Sequence, residues 1–148
     1  MMKELLVGCI GAFGGTVGFT YMLDAPRKTI FPASLIALLG YLIYAVFYSA
    51  LGQGLIFSYF FSTVIITILC EFAARRMRMP TTVFLLSALV PLAPGYSIYH
   101  AMICLVQDNG FAAASAALEA VQVVGAIAVG AAVTSVAFRA MGSRIRKN

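Results

Sequence analysis

Long apolar runs with charges only at their ends decide what this chain can fold into: five stretches, each about 20 residues long, match the thickness of a bilayer core. Hydrophobic residues make up 62% of the chain and charged ones 10%. That leaves too little polar material to coat a water-soluble domain. The expectation is an all-α integral membrane protein, a bundle of five transmembrane helices forming a single domain over residues 1–148, with spans at about 5–23, 32–51, 55–74, 81–106 and 115–140. Only short loops remain, so no separate catalytic domain fits.

The boundaries have local causes. Asp24-Ala25-Pro26-Arg27-Lys28 ends the first run in an interfacial turn. That run is too long and too glycine-rich for a cleaved signal, and no small-residue cleavage pattern follows it. Pro32 is expected to open the second span, where its missing donor costs little. Gly52-Gln53-Gly54 turns the chain, and Arg75-Arg76-Met77-Arg78-Met79-Pro80 closes the third span with a basic cluster and a helix breaker. Asp108-Asn109-Gly110 precedes a long alanine-rich stretch that reaches Met141 and the basic tail.

Charge fixes an expected orientation, because short loops rich in arginine and lysine stay in the cytoplasm. Arg27 and Lys28 lie in the first loop, Arg75, Arg76 and Arg78 in the third, and Arg139, Arg144, Arg146 and Lys147 at the C-terminal end. Nine of the ten positive residues therefore share one side; Lys3 is the exception and has Glu4 beside it. Five spans place the N-terminus outside and the C-terminus inside. The net charge of +5 forms no continuous basic stripe with interleaved aromatics, so nucleic acid is not an expected partner. Cys9, Cys70 and Cys104 fall singly inside apolar runs, without the spacing of a zinc site, redox pair or disulfide framework. Neither metal nor cofactor is expected.

Helices in lipid associate through small residues that let backbones approach. Gly8, Gly11, Gly15 and Gly18 form one stripe on the first span, and Gly14 widens it by pairing with Gly18, so a helix is expected against this groove. The last span shows a similar surface through Ala117, Gly125, Ala128 and Ala132, with Gly130 nearby. Both stripes fit tight packing, and both also fit a sliding interface used in transport.

Polar groups at membrane depth are costly and therefore candidates for function. Glu71 lies four residues before Arg75, which points to a local ion pair. Glu119, with Gln122 one turn later, is either interfacial or a coupling carboxylate. His100, with Tyr96 and Tyr99 nearby, suits proton exchange by its ordinary pKa, and equally suits a bond to a neighbouring carbonyl. Tyr41, Tyr44 and Tyr48 make one stripe, either lining a polar path or bonding across helices.

The sharpest feature is Pro91-Leu92-Ala93-Pro94-Gly95, near the middle of the fourth run. A backbone that leaves the helix inside a bilayer frees polar groups that protein, water or ligand must satisfy. Two half-helices are expected, and the N-terminus of the second, near Gly95 and Tyr96, can hold an anionic group. The candidate substrate site is therefore Pro91, Pro94, Gly95, Tyr96, Tyr99 and His100, with His100 and Glu119 as coupling candidates.

The segment from Pro80 to Met102, PTTVFLLSALVPLAPGYSIYHAM, resembles the signature of the threonine/serine exporter family, in its small membrane half. Gly18-Phe19, Ala25-Pro26-Arg27 and Leu38-Leu39-Gly40 are similar to that family's first two spans. The resemblance implies export of small carboxylate-bearing metabolites from the cytoplasm across the plasma membrane, threonine and serine in some members and succinate in others, driven by an ion gradient. It also implies a separately encoded larger membrane half as partner, since fused members carry a second half that this chain lacks. An odd number of spans permits such pairing as an inverted repeat, and a homo-oligomer is a further possibility. The competing class is a non-transporting scaffold subunit of a larger membrane complex. An enzyme is the weakest option, because no zinc motif, nucleophile elbow or paired aspartates occur.

Overall fold

The computed structural model describes residues 2–49 and 54–145, with side chains for 5–48, 54–138 and 140. Gly52 and Gln53 of the expected second turn, and Arg146 and Lys147 of the tail, lie outside the described residues. Within them the chain is entirely helical: α1 (Met2–Met22), α2 (Arg27–Ser49), α3 (Leu55–Met77), α4 (Thr81–Leu89), a 3-10 turn (Val90–Leu92), α5 (Gly95–Val106) and α6 (Gly110–Ile145). Four helices are long and apolar enough to cross a membrane; α4 with its 3-10 turn and α5 form a further pair, bent by 49°.

Two boundaries differ from the sequence expectation. Helix α2 begins at Arg27, so Pro32 sits inside it rather than at its start. Pro32 has no N–H to give the Lys28 carbonyl, but that group belongs to the first turn beside a charged loop, where water reaches it. Helix α6 begins at Gly110 rather than residue 115, because Asn109 caps it: its side-chain oxygen accepts the Ala112 N–H at 3.2 Å. At 36 residues α6 is about 54 Å long, well beyond the apolar thickness of a bilayer.

Three turns repeat one device. Ala25, Met79 and Asn109 each donate their N–H to a carbonyl five residues back, on Thr20, Ala74 and Cys104, at 3.3, 3.0 and 2.9 Å. This is the Schellman closure, which requires a left-handed residue before the donor. Asp24, Arg78 and Asp108 fill that position with φ of 54°, 54° and 56°. Polar residues thus stand where glycine is usual, and each turn keeps a charge at the membrane surface.

The helices pack in the order α1, α2, α3, α6, α5, with α4 against α2 and α3 and the 3-10 turn against α1 and α2. The core lies where α2, α3 and α4 meet: Ala33, Ile36, Ala37, Ile66, Cys70, Ala74, Phe84, Ala88 and Leu92 are all buried. Alanines bring α2 close, and Ser62 of α3 donates its hydroxyl to the Gly40 carbonyl at 2.7 Å. Other buried hydroxyls bond the carbonyl one turn back, as Thr16, Thr20, Thr67 and Thr134 do. Each such bond satisfies a polar group that lipid cannot.

The small-residue stripes do not face where the sequence suggested. On α1 the buried positions are Ala12, Thr16 and Thr20, while Gly11, Gly14, Gly15 and Gly18 meet nothing that an added Cβ would touch. Only Gly8 is a close approach, against the ring of Tyr41. Among the described residues no helix covers the expected groove. On α6 the packed seam is Ala113, Ala116, Ala120, Val123, Ala126, Gly130 and Thr134, one register away from Ala117, Gly125, Ala128 and Ala132. A helix this rich in alanine has small residues on every side, so size alone selects no face.

Candidate functional site

The break in the fourth run sets the geometry. Helix α4 ends in the 3-10 turn, Leu92 buries itself in the core, and Ala93-Pro94 redirect the chain so that α5 leaves the bundle axis and packs on α6. Proline explains the exit, since Pro91 and Pro94 cannot donate the bonds that would continue α4. The Gly95 N–H turns back to the Ala93 carbonyl at 2.7 Å, and Ile98 bonds Pro94 at 3.1 Å. Pro94 offers no side-chain cap, so the Tyr96 and Ser97 N–H groups open α5 without a side-chain partner.

That end of α5 looks into a cavity of about 450 Å³. Pro91, Ala93 and Pro94 form its floor with Gly95, Tyr96 and Ser97 of α5. Helix α2 contributes Tyr41, Tyr44 and Tyr48, α3 contributes Leu55 and Tyr59, and α6 contributes Glu119. The Tyr44 ring lies 4.6 Å from Tyr59, 5.8 Å from Tyr48 and 6.3 Å from Tyr41, centroid to centroid, so the four rings form one wall. Opposite it, Ser97 donates its hydroxyl to Oε1 of Glu119 at 2.9 Å. A groove of similar size between α5 and α6, lined by Ile98, Met102, Leu105 and Val121 among others, is almost wholly carbon and resembles lipid-facing surface.

Most of the expected residues meet here, but not all. Pro91, Pro94, Gly95 and Tyr96 line the cavity, joined by the three tyrosines of α2 and by Glu119. Tyr99 and His100 do not. Tyr99 is 61% exposed and lines a separate outer groove with Met102, Ile103, Val106 and Gln107. His100 is exposed on the outer face of α5, its ring stacked on Tyr96 at 5.9 Å and its Nδ1 3.9 Å from the Cys104 sulfur. Helix α5 buries Ser97, Ala101 and Cys104; Tyr99 falls on the opposite side, and His100, three residues after Ser97, sits at the exposed margin of that face. Sequence reasoning missed Ser97 and Tyr59. Ser97 carried a signal, because it stands one turn before Ala101 and Cys104 on the buried face of α5.

The two ends of the bundle differ in charge. Gly40 and Ser62 join α2 to α3, and both Arg27 and Arg75 lie thirteen residues from that junction, at one end. Arg75 donates to the Phe138 carbonyl of α6 at 3.1 Å, sits 5.2 Å above the Phe138 ring and approaches Glu71 at 3.8 Å, the local pair expected from their spacing. The tyrosine cavity lies toward the opposite end, where Tyr48 and Leu55 flank the turn between α2 and α3. Among the described residues no group of three His, Cys, Asp or Glu side chains could hold a metal ion.

Comparison with known proteins adds a family. The model of the family described as Threonine/Serine exporter, ThrE, matches residues 8–137. An uncharacterized protein of Haemophilus influenzae is 28% identical over 118 residues, which cover 80% of this chain and 39% of that protein. The chain thus spans about two fifths of the length of the curated relative it matches. No solved structure matches it.

Proposed function

Because the chain belongs to the threonine/serine exporter family, we propose that it is one membrane subunit of a secondary exporter that moves small carboxylate-bearing metabolites out of the cytoplasm. Candidate cargoes are threonine, serine and dicarboxylates such as succinate. The observation that carries the reading is the cavity of about 450 Å³ at the broken span, where the N-terminus of α5 meets a tyrosine wall and a carboxylate inside an otherwise apolar bundle. A helix start carries a partial positive charge and unpartnered N–H groups, which suits a substrate carboxylate. Discontinuous membrane helices are tolerated where they line such a cavity.

The basic end bearing Arg27, Lys28, Arg75, Arg76 and Arg78 faces the cytoplasm in this reading, with the N-terminus outside. The cavity then opens toward the exterior, as the release state of an exporter should. A larger, separately encoded membrane half completes the transporter. Two features support it: 61% of the relative's length lies outside the match, and α5 packs on α6 alone, leaving that side of the cavity open. The plasma membrane is the proposed location.

Gly95→Leu tests the site. A Cβ added at Gly95 meets no atom within 4 Å, so a side chain can start there without a clash, and leucine should occupy the cavity that Gly95 lines. In vesicles holding this chain with its partner, efflux of labelled threonine, serine and succinate should fall at least about tenfold for whichever is carried. A folded variant that still moves its cargo at the original rate removes the cavity as the substrate site.

A further inference from the structure

We propose that Glu119 is the specificity-determining residue of this cavity, taking up the ammonium group of a zwitterionic substrate; this rests on the reading of the cavity as the exporter's substrate site. Every arginine and lysine whose side chain is described lies in or beside the turns at the far end of α2 and α3. His100 is exposed and is not among the residues that line the cavity. Among the described residues Glu119 is the one carboxylate lining the cavity, and no lysine, arginine or histidine lines it beside Glu119.

Geometry then limits the ligand. The Ser97 hydroxyl holds Oε1 of Glu119 at 2.9 Å, and Ser97 is also the third residue of α5. One side chain thus joins the carboxylate to the partly positive start of a helix. An α-amino acid carries its two charges on neighbouring atoms of a single carbon, so its carboxylate can meet the Tyr96 and Ser97 N–H groups while its ammonium meets Glu119. Tyr44 and Tyr59 also line the space, and an aromatic lining accommodates a cation. A dicarboxylate would find only the fractional positive charge of one helix end, with Glu119 repelling its second carboxylate.

Substitution separates specificity from mere integrity. Glu119→Gln keeps the shape and the acceptor for Ser97 and removes only the charge, while Glu119→Asp keeps the charge. With the complex of this chain and its partner in vesicles, four probes are compared: L-threonine, L-serine, succinate and N-acetyl-L-threonine, which retains the carboxylate but has no ammonium. The wild-type complex should carry threonine or serine at least about tenfold better than succinate or the acetylated compound. Glu119→Gln should erase that ratio by lowering threonine and serine alone, and Glu119→Asp should preserve it. Wild-type preference for succinate, equal handling of N-acetyl-L-threonine, or an equal fall of all four probes in Glu119→Gln overturns the assignment. If Gly95→Leu leaves transport unchanged, the site reading itself fails, which is a separate result from a lost or retained ratio at position 119.

Discussion

Replacing Gly40 by alanine should loosen the joint between α2 and α3, and the reason can be isolated. A Cβ at this position would overlap Cγ1 and Cδ1 of Ile66, which is fully buried in the core shared by α2, α3 and α4. Ile66 has no empty space to enter, so either it leaves its rotamer or the helices part, at a cost of about 1–3 kcal/mol. Parting the helices also stretches the 2.7 Å bond from Ser62 to the Gly40 carbonyl, worth a further ~0.5–1.5 kcal/mol. Ile66→Ala removes both overlapping atoms, so the cost of Gly40→Ala should fall by at least about 1 kcal/mol in that background. Reversible unfolding of the chain in mixed micelles, run as a double-mutant cycle over the four proteins, measures this coupling. Equal cost of Gly40→Ala with and without Ile66 would refute the overlap as the cause, whatever the size of the effect.

Two neighbouring hydroxyls on α3 should behave oppositely in the same assay. Ser62→Ala loses the interhelical bond and should destabilise by about 1 kcal/mol, whereas Thr63→Val should be neutral or stabilising, because the Thr63 Oγ1 is buried without a partner. Destabilisation by Thr63→Val equal to that of Ser62→Ala would contradict this. On α1, Gly8→Ala should destabilise by displacing the Tyr41 ring, while Gly15→Ala, which meets open space, should stay within about 0.5 kcal/mol of the parent or gain slightly. Matching losses at both positions in the isolated chain would show that the glycine stripe packs as a unit after all.

The all-helical, membrane-bundle character was legible because lipid enforces it: long apolar runs must be helices, and charges must mark their ends. The position of the break was legible for a similar reason, since Pro91 and Pro94 remove donors that nothing else can replace. Packing faces were not legible. On α1, Gly11, Gly15 and Gly18 form the more regular stripe, yet the buried face runs through Gly8, Ala12, Thr16 and Thr20. Threonine serves there because its hydroxyl bonds the carbonyl one turn back and leaves its methyl for packing, as Thr16 does to Ala12 at 2.7 Å. Reading hydroxyls only as polar groups hides that use. His100 misled for a different reason: chemistry made it a candidate, but the side that α5 turns inward is set by Ser97 and Cys104 meeting α6, a tertiary fact with no trace in the spacing of Tyr96, Tyr99 and His100.

The broken span ties the two levels together. An unbroken fourth helix would continue along the α2–α3 core and bury its whole length there, closing the bundle. Instead the core receives only α4 and Leu92, and α5 is handed to α6, a helix that otherwise meets the bundle only through α3. The gap left between α5 and α2 is where the tyrosines stand and where Glu119 lies. Helix α6 is itself anchored to α3, through Gly130 against Phe60 and Thr63 and through Arg75 against Phe138, and its Ile127 reaches the core, so it holds Glu119 at the cavity while α5 leans on it. Glu119 and Ser97 thus stand on two helices joined by a direct 2.9 Å bond, and the tyrosines of α2 and α3 face the same cavity from the rest of the bundle.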